Sequence, residues 1–210
     1  ICVKPNCSIQ PYVPALHALA DFEPERVVVC TYQALSGAGK TLNSWPEMAD
    51  NVIPFIGGEE EKSEREPHKI WGKVDQGRIV SADGPMISAQ CVRVPVSDGH
   101  MAAVSVAFNR KPTIEQIREQ WDAFVGSPRA VNLPYSADPF LAYSDEDDRP
   151  QTRIDRDASR GMGVTLGRLR DDPVLDYKFV ALSHNTIRGA AGGSILMAEL
   201  LKAEGYLNAK

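Results

Sequence analysis

Residues 26–33, RVVVCTYQ, constrain the fold of this 210-residue chain more than any other stretch. Side chains branched at Cβ crowd the turns of a helix but pack well on a pleated surface. Three consecutive valines followed by threonine and tyrosine therefore read as a buried strand. Two further runs, 87–96 and 101–109, flank Ser97-Asp98-Gly99-His100, a signature of a hairpin or a bend. Residues 163–170 and 177–183 read as two more strands.

Helical patterns separate these runs. Residues 8–20 place Val13, Leu16, His17 and Ala20 at helical spacing behind Ser8, a good cap, although Pro14 sits awkwardly in a helix interior. Residues 59–73 form a charged, helical stretch broken near Pro67. Residues 113–125 carry a capping box, Thr113 with Gln116, and an inward face of Ile114, Ile117, Trp121, Phe124 and Val125. Residues 127–150, proline-rich with an acidic run at 145–148, read as a long surface connection. Residues 185–204 form a last helix whose first half is rich in glycine. The class expected is α+β (α/β), a mixed and largely antiparallel sheet flanked by helices.

Composition narrows the functional classes. Hydrophobic residues make up 43% and charged residues 24%, enough apolar material for a packed core. No run approaches the roughly 20 apolar residues that span a bilayer, so no membrane partner is expected. A net charge of −5 argues against a broad nucleic-acid face. The four cysteines form no C-x-x-C pair, so neither a zinc ribbon nor any other metal site is expected. They read as reduced thiols of a cytoplasmic protein, three of them buried.

Some constellations can carry chemistry. Cys7, in Pro5-Asn6-Cys7-Ser8, precedes the first helix; the positive end of the helix dipole would lower its pKa and favour the thiolate. A small buried hydrophobe is the other reading. Arg93 and His100 bracket the Ser97–Gly99 turn and can point into one cleft, where a planar guanidinium suits a carboxylate and an imidazole can move a proton. An ordinary surface turn is the alternative. Glu59-Glu60-Glu61-Lys62 would normally be a solvated helix face, but it starts abruptly after Gly57-Gly58. Ser36-Gly37-Ala38-Gly39 is a glycine-bearing loop, and no G-x-G-x-x-G or Walker motif occurs in the chain.

Taken together, PNCS, TYQALSGAG, NVIPFIGGEEEK, CVRVPVSDGH and SHNTIRGAAGGS resemble, in family order, the aspartate-semialdehyde dehydrogenases of fungal and archaeal type. The resemblance implies a glyceraldehyde-3-phosphate-dehydrogenase-like C-terminal domain. It also implies reduction of β-aspartyl phosphate to aspartate 4-semialdehyde with NADPH, a step towards threonine, methionine, isoleucine and lysine. By the same resemblance Cys7 is the nucleophile, Gln33 orients the substrate and His100 is the acid/base group. Arg93 clamps the substrate carboxylate, Glu59 meets its amino group and Lys62 its phosphate. Ser36, Gly37 and Asn185 match positions that contact the cofactor, NADP. The family's amino-terminal Rossmann domain has no counterpart here.

The chain starts at Ile1 rather than Met, and the expectation is a catalytic and dimerisation domain over residues 1–184. Residues 185–210 are then a C-terminal helix that normally packs on the absent domain. A homodimer or homotetramer is expected. Two alternatives stand beside this reading: a folded but inactive dimerisation module, and an N-acetyl-glutamyl-phosphate reductase. The second is disfavoured because an acetylated amine cannot pair with Glu59.

Overall fold

A computed structural model describes residues 4–207; the expectations attached to Ile1 and Cys2 lie outside them. In chain order the elements are α1 (Val13–His17), β1 (Pro24–Gln33), α2 (Glu59–Ile70), β2 (Lys73–Asp75), β3 (Arg78–Val80), β4 (Met86–Arg93) and β5 (His100–Phe108). They continue with α3 (Ile114–Ala123), β6 (Leu141–Ser144), α4 (Thr152–Asp155), β7 (Val164–Asp171), β8 (Tyr177–Ser183) and α5 (Gly192–Ala203). Six strands form one sheet in the order β4-β1-β5-β8-β7-β6, and β2 pairs with β3 apart from it. β1 with β4 and β6 with β7 are parallel, and the remaining pairs are antiparallel. The expected mixed, largely antiparallel sheet is therefore present.

The hairpin reading of residues 87–109 is corrected to a bend. β4 and β5 do not pair; β1 lies between them, with Gln33 opposite Arg93 and Tyr32 opposite Met101. The chain leaves β1, crosses through α2 and returns in parallel as β4, and a parallel return needs such a crossover. The Ser97–Gly99 turn then vaults the end of β1.

One face of the sheet carries the core. Leu16, Leu19, Val27, Val29, Val104, Trp121 and Phe179 are buried there under α1 and α3. Trp121 stacks on Tyr143 at 5.9 Å, meets Phe179 edge-on at 5.1 Å and donates its Nε1–H to Ala15 O at 3.0 Å. The opposite face is open, with Val28 54% and Tyr32 37% exposed. The buried strand read at residues 26–33 is thus buried on alternate side chains only. Of the described cysteines only Cys91 is buried; Cys7 and Cys30 are partly exposed.

Several local readings change for identifiable reasons. The helix expected over residues 8–20 shrinks to α1, because prolines delay it and Pro14 falls in its first turn, where a missing N–H costs nothing. Ser8 does not cap it; the Ser8 N–H instead donates to Asn6 Oδ1 at 3.2 Å. Pro67 lies inside α2 without breaking it. A proline at position 67 leaves the carbonyl of Ser63 without its helical donor, and the Tyr12 hydroxyl donates to that carbonyl at 2.9 Å. The capping box at Thr113 forms as read, but α3 ends at Ala123 and leaves Val125 54% exposed. The surface connection over residues 127–150 contains β6. The last helix opens with a π-turn, Ile187–Ala191, before α5.

The acidic start of α2 is not a solvated face. β4 is an edge strand, and α2 runs along its free side. Glu64 Oε1 accepts from Ala89 N–H at 3.0 Å and Glu60 Oε1 from Cys91 N–H at 3.2 Å. Arg93 N–H, next in the row, donates to Ile53 O at 2.8 Å. Three outward donors of β4 are thereby satisfied, which hinders pairing with another strand.

Candidate active site

The sheet brings chemistry-bearing residues to one end. Gln33 closes β1, Arg93 closes β4, His100 opens β5, and His100 pairs with Ser183 at the end of β8. The first residue past β1, Ala34, organises two of them with its backbone. Its N–H donates to His100 Nδ1 at 3.1 Å, and its carbonyl accepts from Arg93 Nη1 at 2.6 Å.

His100 is fully buried. Because Nδ1 accepts from an amide, the ring proton of the neutral imidazole sits on Nε2. Nε2 is buried and has no partner among the described residues. Burial and the positive charge of Arg93 push the imidazole down to about 3, so it is neutral at physiological pH. Arg93 is 5% exposed, and among the described residues no carboxylate lies within the 4.0 Å of an ion pair. Its guanidinium is lowered by burial against the opposing charge of Glu59. Gly37 lies against both groups. A Cβ there would stand 2.9 Å from His100 Nε2 and 3.0 Å from Arg93 Nη1.

A second cluster adjoins the first through Gln33. Glu59 opens α2 just after Gly58, which takes a left-handed conformation at φ 73° that glycine adopts without strain. Its carboxylate accepts from Asn6 Nδ2 at 2.9 Å, Lys62 Nζ at 3.0 Å and Gln33 Nε2 at 3.4 Å. Burial works to raise this carboxyl, but those hydrogen bonds and the Lys62 charge hold it below its ordinary value. Asn6 also donates its backbone N–H to Glu66 Oε2 at 2.8 Å, which ties the Cys7 segment to α2. The helix-dipole reading of Cys7 is corrected: the thiol lies six residues before α1, and burial with the Glu59 charge pushes it up, while Lys4 and Arg93 pull it down.

Asn185 connects the loop to the turn. Its Nδ2 donates to Ser36 Oγ at 2.9 Å, and its Oδ1 accepts from Gly99 N–H at 2.8 Å. Each end of the amide keeps one bonding position for another group. Gly37 packs against His100 Nε2 with no side chain of its own. These features fit the nicotinamide end of a dinucleotide, whereas no glycine fingerprint for a pyrophosphate is present.

All nine residues expected from the resemblance therefore lie at this end of the sheet or beside it. Reading the sequence missed Asn6, whose place before a cysteine at a chain turn is a usable signal. It also missed Ala34, which acts through backbone groups that no residue letter encodes. A groove of about 920 Å³ lies elsewhere, bordered by Leu16, Trp71, Phe124, Phe140 and Leu196, and contains none of the nine.

Comparison with known proteins fits this arrangement. Residues 16–188 match the model of the family described as semialdehyde dehydrogenase, dimerisation domain. The chain belongs to the semialdehyde dehydrogenase family. Curated semialdehyde dehydrogenase relatives include the aspartate-semialdehyde dehydrogenases of Archaeoglobus fulgidus, 44% identical over 204 residues, and Schizosaccharomyces pombe, 43% identical over 216 residues. The matches cover 97% and 99% of this chain but only 58% and 60% of those relatives. The crystal structure of aspartate semialdehyde dehydrogenase with NADP from Candida albicans superposes with a TM-score of 0.86 at 37% identity, over 96% of this chain and 57% of that one. Aspartate semialdehyde dehydrogenase II from Vibrio cholerae gives a TM-score of 0.72 at 27% identity, over 97% and 62%.

Proposed function

We propose that this chain supplies the catalytic and dimerisation part of an aspartate-semialdehyde dehydrogenase. The whole enzyme would convert β-aspartyl phosphate and NADPH into aspartate 4-semialdehyde, phosphate and NADP, an early step from aspartate towards threonine, methionine, isoleucine and lysine. The observation that carries this reading is the buried pair at the sheet end. Among the described residues Arg93 is a guanidinium with no carboxylate in ion-pair reach, and beside it His100 offers an Nε2–H with no acceptor. An unpaired buried charge is costly, so a site of this kind is completed by an anionic ligand. The relatives' names and the Vibrio cholerae structure complexed with ASA support the choice of substrate.

The residues divide the work. Arg93 holds the substrate α-carboxylate, and Glu59, kept ionised by Asn6, Gln33 and Lys62, meets its ammonium group. Lys62, with its Nζ exposed beside Glu59, meets the phosphate. Cys7 attacks the acyl carbon; the carbon–oxygen bond to phosphate breaks, phosphate leaves as hydrogen phosphate with the thiol proton, and a thioester remains. His100 Nε2–H donates a hydrogen bond to the carbonyl oxygen as it gains charge. Ser36, Gly37 and Asn185 would hold the nicotinamide of NADPH, which when bound would supply the hydride for the second half of the reaction.

The open sheet face, with Val28, Cys30, Tyr32, Met101 and Val180, supports a homodimer, whose further pairing would give a tetramer. In α5 only Gly192 is buried and Ile195 is 47% exposed, which supports packing of residues 185–210 on another domain. The cytoplasm is the compartment proposed. The test is Cys7→Ala in the full-length protein. Phosphate-dependent reduction of NADP by aspartate semialdehyde should vanish while the circular-dichroism spectrum is kept. Retained turnover would refute the assignment.

A further inference from the structure

Cys7 lies in irregular chain, and a nucleophile there needs a support that its own segment does not provide. The support comes from the other end of the sequence. In the π-turn Ile187–Ala191, Gly189 N–H donates to His184 O and Ala191 N–H to Thr186 O, both at 3.0 Å and both reaching back five residues. Such turns widen a helix by one residue and recur at functional sites. Here the widened turn faces Cys7. A Cβ on Gly189 would stand 2.6 Å from Cys7 Cβ and 3.1 Å from Cys7 Cα. Those are not the ends of a flexible side chain, so no change of rotamer removes the clash. The turn is also held from behind. Ile187 Cδ1 would lie 2.8 Å from a Cβ on Gly161, and Arg188 Nη1 donates to Met162 O at 2.7 Å.

We propose that Gly189 is a positioning residue for Cys7. The π-turn is the surface on which the nucleophile rests, and only a residue without a side chain lets Cys7 settle where its thiol faces the Arg93–His100 end of the sheet. This inference rests on Cys7 being the nucleophile.

The experiment compares Gly189→Ala with Gly167→Ala in the full-length protein. A Cβ on Gly167 would be crowded to a similar degree, against Arg149 O and 3.1 Å from Pro150 Cδ, with no atom of Cys7 or of the π-turn among its nearest neighbours. Both variants should melt at a lower temperature. Only Gly189→Ala should lower kcat, by about 100-fold with KM little changed, the scale of a misplacement of about 1 Å. It should also change the pH profile of Cys7 alkylation by iodoacetamide, read by peptide mass spectrometry, which needs neither substrate nor cofactor. Wild-type kcat and alkylation in Gly189→Ala would overturn the inference, as would an equal loss of kcat in Gly167→Ala. Should Gly189→Ala fail to fold, Ile187→Ala loosens the same turn from behind and must show the same changes; an unaltered alkylation profile overturns the proposal. Cys7→Ser separates the two readings. If it keeps phosphate-dependent turnover, the nucleophile assignment fails; if it is inactive while Gly189→Ala is normal, only the positioning role fails.

Discussion

Replacing His100 with asparagine should flatten the acid side of the protein's stability curve. In the folded chain Nδ1 is occupied by the Ala34 N–H, the ring is buried, and the Arg93 charge stands beside it. The imidazole is pushed from 6.5 down to about 3. The unfolded chain, in contrast, takes up a proton near 6.5. Since the folded value is the lower one, the unfolded state binds more protons between pH 6.5 and 3, and stability present above that range is lost as pH falls through it. At pH 4 the loss is about 3 kcal/mol, from 2.5 pH units at about 1.36 kcal/mol each. That is a large part of the 5–15 kcal/mol typical of a domain. Asparagine can place Oδ1 where Nδ1 was and still accept from Ala34, but it does not titrate. Urea unfolding followed by far-ultraviolet circular dichroism at pH 7, 5.5 and 4 measures the difference. Wild type should lose about 3 kcal/mol more than His100→Asn between pH 7 and pH 4. His184, also lowered by burial, is present in both proteins and cancels. Equal losses would refute the argument that the surroundings hold His100 neutral.

Tyr12→Phe removes the donor that satisfies Ser63 O beneath Pro67, and should cost about 1–3 kcal/mol by thermal or urea denaturation, the price of an unmade buried hydrogen bond. An unchanged midpoint would mean that α2 tolerates Pro67 by other means. Gly37→Ala in the full-length protein sets a methyl against His100 Nε2 and Arg93 Nη1, and should lower kcat/KM by at least about tenfold, roughly 1.4 kcal/mol of transition-state binding. Wild-type kinetics would show that those two groups need no clear approach at that point.

What could be read without coordinates was local. The Thr113 capping box needs only residues three apart, and the valines of β1 or the apolar run of β5 declare their strands by their own side chains. The length of α2 could not be read, because Tyr12, 51 residues from Ser63, supplies what Pro67 withholds. Nor could the half-exposure of β1, which depends on what covers the second face. Glu60 looked solvated because its acceptor role depends on β4 lying alongside. At the site, the residue types alone identified Cys7, Arg93 and His100 as candidates but gave the wrong direction for the thiol, since α1 starts too late to act on it. The roles of Gln33, Glu59, Lys62 and Asn185 came from resemblance, and the backbone of Ala34, which sets both His100 and Arg93, had no letter to betray it.

The acidic seal along β4 works as a vernier. Two carboxylates four residues apart on a helix are about 6 Å apart, and two amides two residues apart on a strand are nearly 7 Å apart. The two scales coincide at Glu64 with Ala89 and Glu60 with Cys91, and sliding α2 by half a turn breaks both matches at once. Glu59 directly precedes Glu60 on the helix. Its reach to Asn6 and Gln33 is therefore calibrated by amides that touch no ligand, and a substitution on the outer edge of the sheet can detune a contact at its end.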